Sequence, residues 1–180
     1  MKITKKKLYK TMSKIYESPV LINQDYLKSF SPIPLNYNWE EIRPFIKIAE
    51  SIHIEPILGS KLYKELLKEV KNNSITPENS TLLLHIYQFE AIAVCSEALP
   101  FLTYQVTEKG ITKSKSDNTE SIDNQEFSQI KNDLTAKIEV LKRMLVQFLE
   151  DNKSCYPLYT SKINEHTTPD VRIYNSNGNY

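Results

Sequence analysis

The sequence predicts a mainly α-helical fold: a bundle of about four to five helices with an inserted β-hairpin and extended N- and C-terminal arms. Apolar residues return at three- and four-residue spacing over most of the chain. Capping residues and prolines sit where those runs begin and end. One stretch, Phe101 to Thr107, alternates instead with the period of a strand.

Residues 3–16 carry Leu8, Met12 and Ile15 on one stripe, which suits a short helix, and Pro19, Pro32 and Pro34 then mark an extended arm with few helix signals. Asn38, with Glu41 three residues on, signals a helix start in the manner of a capping box. From Trp39 the positions Ile42, Phe45, Ile46, Ala49 and Ile52 form one apolar face, with Pro44 tolerated near the start. Pro56 predicts a stop around Ile54, and Gly59 supplies the turn into a second helix whose stripe is Leu62, Tyr63, Leu66, Leu67 and Val70.

Thr76-Pro77 opens a third helix, a cap followed by proline in the first turn. It is apolar almost all round from Ala91 to Ala98, so it is expected to be the buried central helix, ended by Pro100. Leu102, Tyr104 and Val106 then face one way and Thr103, Gln105 and Thr107 the other, with a turn at Glu108-Lys109-Gly110 and a return strand from Ile111 to Lys113. Ser114 to Ser121 reads as a mobile polar loop. Asp123 and Glu126 form a second capping-box signature for a long helix to about Glu150, along which Phe127, Leu134, Leu141 and Phe148 recur every seven residues, with Ile138 and Leu145 between. Residues 156–180 have no core of their own. The expected division is therefore a helix and arm over 1–38, a helical domain over 39–155 containing the hairpin at 101–113, and a tail over 156–180.

With 40% hydrophobic and 25% charged residues in 180, the chain fits one globular core rather than two. A net charge of +1 provides no whole-chain field for nucleic acid or anionic membrane, so such a role would need a local patch. Lys5, Lys6 and Lys7, within the basic N-terminal run, are the candidate for contact with phosphate or an acidic surface, although lysines at a chain end more often do nothing specific. Two cysteines do not make a disulfide framework or a zinc site, the N-terminus lacks the apolar stretch of a signal peptide, and no apolar run approaches a bilayer span. The expectation is a soluble chain in a reducing cytoplasm, without cofactor or metal. Three glycines, at Gly59, Gly110 and Gly178, argue against a phosphate-cradling loop.

His53, His85 and His166 fall on different elements without nearby metal-ligand partners in sequence, and His53 reads as a helix-end histidine. Glu97, in the apolar end of the central helix, is the exceptional acid, either paired inside the fold or used at an interface, and Cys95 reads as a small core residue. No nucleophile stands in a recognisable setting. The aromatic-bearing segments outside the helices point to assembly instead. Tyr26, Phe30, Tyr37, Tyr156, Leu158, Tyr159, Ile173 and Tyr174 are candidate partner-contacting residues of the two arms.

The stretch Glu41-Ile42-Arg43-Pro44-Phe45-Ile46-Lys47-Ile48-Ala49-Glu50, then Ile57-Leu58-Gly59 and Lys61-Leu62-Tyr63-Lys64-Glu65-Leu66-Leu67, resembles the opening helices of the small head-to-tail connector proteins of tailed bacteriophages. Those of crAss-like and other Bacteroidales phages are the nearest likeness. Ala98-Leu99-Pro100-Phe101, the strand ending in Lys109-Gly110-Ile111, and the long helix leading to Tyr156-Pro157-Leu158 continue the pattern, which runs from about Trp39 to Tyr159 and leaves residues 1–38 without a counterpart in the shortest members. The resemblance implies a non-enzymatic virion subunit forming a ring of twelve copies below the portal, assembled in the host cytoplasm. Its partners would be its own copies, the portal, further connector or tail proteins, and genomic DNA passing through the channel without sequence-specific binding; no membrane is implied. Leu102, Tyr104, Val106 and Ile111 are the candidate subunit contact, because so short a hairpin does not stand alone. The competing expectation is a monomeric helical module that binds protein or nucleic acid, and an enzyme with a site assembled from distant residues ranks third.

Overall fold

The computed structural model describes residues 18–31, 37–107, 110–113 and 123–160, with the backbone alone for residues 103–107 and 110–113. The helix expected at 3–16, Lys5, Lys6 and Lys7, the polar loop, Ile173 and Tyr174 therefore lie outside the described residues, as do the side chains of Tyr104, Val106 and Ile111.

The fold is mainly α-helical. In chain order the helices are α1 (Gln24–Phe30), α2 (Trp39–Ala49), α3 (Glu55–Leu58), α4 (Ser60–Asn72), α5 (Pro77–Thr103) and α6 (Asn124–Asp151), with a π turn at Glu50–Ile54 joining α2 to α3. Strands β1 (Tyr104–Thr107) and β2 (Gly110–Lys113) follow α5 and pair antiparallel, Val106 opposite Ile111. Helix α5 is the hub, and α1, α2, the π turn and α6 all pack against it. Its residues Leu82, Leu83, Ile86 and Phe89 are among the most completely buried in the protein, as expected of a helix apolar on nearly every side.

Local signals explain most boundaries. Asp123 Oδ1 accepts from the Gln125 and Glu126 amides at 2.7 and 2.8 Å, while Glu126 Oε2 accepts from the Asp123 amide, completing the capping box. Residues 123–126 are exposed, so packing adds little to that turn. Asp123→Ala is expected to lower unfolding free energy by about 1 kcal/mol and to speed hydrogen exchange at Gln125 and Glu126; unchanged exchange at both amides would exclude the capping role. Asn38 likewise caps α2, through the Glu40 amide at 3.1 Å, but among the described residues the reciprocal bond from Glu41 is not formed. Gly59 takes φ 77° between α3 and α4, a conformation glycine adopts without steric cost.

Two prolines end nothing. Pro56 cannot donate to the Ile52 carbonyl and crowds it, and the chain responds by widening into the π turn rather than breaking, so helical structure runs on to Leu58. The extra residue in that turn shifts the register of the apolar stripe. Ile54 becomes fully buried, whereas Ile52, expected on the core face, is 56% exposed. Pro100 lies in the last turn of α5, where it forfeits one hydrogen bond, and the helix continues to Thr103. Phe101 and Leu102 are therefore helical, and the strand begins at Tyr104. Helix α5 is also long and apolar enough to cross a membrane by length and composition, contrary to the sequence expectation, but 61% of its apolar window is buried inside the fold.

The N-terminal arm is not extended throughout. Asn23 caps α1 by accepting from the Tyr26 amide, and α1 lies on α5 with Leu21, Ile22 and Leu27 in the core. The segment before it is held by charged side chains of α2 and the π turn: Arg43 donates to the Ser18 carbonyl at 2.7 Å, Lys47 to the Pro19 carbonyl, and Glu50 accepts from the Leu21 amide at 2.5 Å. An irregular segment needs partners for its backbone groups, and here the body supplies them. The packed domain thus starts before Trp39.

Candidate functional site

Among the described residues, two polar clusters join α5 to the π turn, and neither was visible as a cluster in the sequence. Glu50, at the start of the π turn, is wholly buried and accepts hydrogen bonds from the Leu21 amide, from Tyr63 Oη at 2.8 Å and from Lys47 Nζ at 3.0 Å. Glu90 of α5 is equally buried beside it, and neither of its carboxyl oxygens has a hydrogen-bond partner among the described residues. Burial, and secondarily the Glu50 charge, push the Glu90 carboxyl well above its ordinary range, so it is held as the neutral acid. Burial and the Glu50 charge also raise the Tyr63 phenol, which stays protonated and able to donate. The cluster ties α2, α4, α5 and the N-terminal segment together.

The second cluster pairs His53 Nε2 with Glu97 Oε1 at 2.9 Å, both partly exposed, with the imidazole edge-on to Phe89. Glu97 is thus paired within the fold, and His53 lies inside the π turn rather than at a helix end. His85 stacks on Phe148 at 4.1 Å between ring centres, and His166 lies outside the described residues. Among the described residues no three of His, Cys, Asp and Glu converge as metal ligands. The His53–Glu97 contact ties α5 to the π turn.

The surfaces are more distinctive. Glu41, Phe45, Ile48 and Ile52 follow one another at four- and three-residue steps along α2 into the π turn. Ile48 and Ile52 are exposed, and Phe45 packs at 5.1 Å on Phe101, itself 61% exposed at the end of α5. A second apolar surface is a groove of about 550 Å³ bounded by Phe30 of α1, Gln88 and Ile92 of α5, and Lys137, Val140 and Leu141 of α6. Exposed Leu84 and Met144, one turn beyond Gln88 and Val140 respectively, extend its two sides.

The sequence-derived contact residues separate into three groups. Tyr156 and Tyr159 are buried in their own chain, Tyr156 donating to the Glu78 carbonyl and Tyr159 to Glu150 Oε1, each at 2.8 Å. As contacts to a partner they are corrected by that burial, which pushes the Tyr159 phenol up to about 12. Tyr26 stacks on Tyr87 at 4.6 Å, while Phe30 and Tyr37 pack partly against the core, so their exposed edges alone face outward. Leu158 is exposed beside Pro157 and Cys155, and Leu102 is half-buried against the core at the end of α5. Ile48, Val140 and Met144 were not singled out in sequence because one exposed apolar residue on a helix is ordinary; only their alignment makes a surface.

This architecture defines a class: a helical domain around one long central helix, with unlike apolar surfaces on separate flanks. More particularly, a family of unknown function, DUF6712, matches residues 54–168, and the chain belongs to that family. No curated protein and no solved structure matches the chain.

Proposed function

We propose that the chain is a structural subunit that assembles head to tail into a ring, joining a phage capsid to its tail below the portal and extending the DNA channel. One observation carries the reading: the exposed apolar strip of α2 and the apolar groove between α5 and α6 are different surfaces on different elements. A ring needs unlike left and right faces, whereas a twofold dimer needs one self-complementary patch. The order of helices and strands that resembles phage connectors points the same way. In this reading β1 and β2, with Leu102, Tyr104, Val106 and Ile111, contribute to subunit contacts, and the remaining tails reach the rings above and below.

The measurement is particle mass and shape, by light scattering and electron microscopy, for the protein alone and mixed with its portal. Closed rings, of twelve copies in the connector reading, are expected in at least one condition. A monomer in both, binding DNA in a manner that weakens steeply with salt, overturns the ring and establishes the monomeric binding module.

A further inference from the structure

The geometry points to a specific ring contact: the α2 strip of one copy lies in the α5–α6 groove of the next. This inference rests on the ring reading and adds which two surfaces meet. The dimensions agree. The strip from Phe45 to Ile52 spans about 10 Å of helix and the groove wall from Leu84 to Ile92 about 12 Å, at 1.5 Å per residue, so a helix laid in the groove covers both apolar rows with little left over. The charges agree as well. The strip has an acid at its start, Glu41, while the one charged residue lining the groove among the described residues is the cation Lys137. An apolar centre with complementary charge at its edge gives a contact both affinity and register. A second copy of this chain is the occupant, because among the described residues the chain carries both an exposed apolar strip that starts at an acid and an apolar groove with a cation in its lining. Two grooves set face to face leave both concavities empty, so the groove does not fit its own kind.

A head-to-tail contact makes a distinctive prediction for mixtures. Ile52→Asp spoils the strip and Val140→Asp spoils the groove; both residues are about half exposed, at 56% and 46%, so each variant is expected to keep its helical content and melting temperature. Each alone is expected to lose ring formation and run as a monomer. Mixed at high micromolar concentration, they retain one intact strip and one intact groove between them and are expected to form a dimer that cannot grow. Rings formed by either single variant, or a mixture that stays monomeric while the unaltered protein forms rings, overturn the strip-in-groove contact and leave the ring reading standing. An unaltered protein that remains monomeric alone and with its portal overturns both.

Discussion

Glu50→Ala is expected to lower the unfolding free energy by about 3 kcal/mol, among the larger losses a single substitution in this body can cause. The carboxylate is the acceptor for three donors from three parts of the chain: the Leu21 amide, Tyr63 Oη and Lys47 Nζ. Leu21 and Tyr63 are buried, so water does not replace the lost acceptor without opening the core. Each orphaned donor costs about 1–3 kcal/mol, and removal of the charge beside Glu90 returns part of that total. The Leu21 amide is also where the N-terminal segment meets the body, so the loss is expected first as faster hydrogen exchange over residues 18–31. Glu50→Gln retains an acceptor oxygen and is expected to lose less than half as much. Urea unfolding monitored by circular dichroism checks both; equal midpoints for Glu50→Ala and the unaltered protein would mean that the cluster contributes nothing to stability.

How far the sequence foretold this depends on whether the decisive interaction is local. The α6 capping box, the Thr76-Pro77 start of α5 and the Gly59 turn were legible because cap and turn chemistry lies within a few residues. The burial of Leu134, Ile138 and Leu145 was legible for a similar reason, since a seam recurring every three and four residues has one natural partner face. Pro56 and Pro100 misled because proline forbids one hydrogen bond, not a helix, and whether the chain widens, bends or stops is settled by tertiary packing. Helix α1 was missed because seven residues seldom declare a period, although Asn23 followed by Asp25 was a usable start signal. Glu50 and Glu90 are 40 positions apart and meet only once α2 lies on α5. Each did interrupt an apolar run, the same signal that drew notice to Glu97, so the oddity was present while its partner was not.

Glu90→Gln tests the other half of that pair and is expected to stabilise the protein increasingly as pH rises. In the folded state burial and the neighbouring Glu50 hold the Glu90 carboxyl protonated, above its ordinary value of 4.5; in the unfolded chain it ionises normally. Between the unfolded and folded values the native state therefore binds more protons than the unfolded state. Stability then falls as pH rises, by about 1.4 kcal/mol per pH unit for one proton fully retained, and it levels off above the folded value. Glutamine has nearly the same shape and no proton to lose, so this component of the decline is absent in the variant. Near pH 4, where the carboxyl is largely neutral in both states, the two proteins are expected to unfold at similar urea concentrations. Towards pH 7 their midpoints are expected to separate, with Glu90→Gln the more stable, while Asp123→Ala, altered at an exposed turn remote from the pair, does not acquire this divergence. Parallel stability curves for Glu90→Gln and the unaltered protein across that interval would show that Glu90 ionises as readily in the folded core as in water, and the neutral-acid assignment would fall with them.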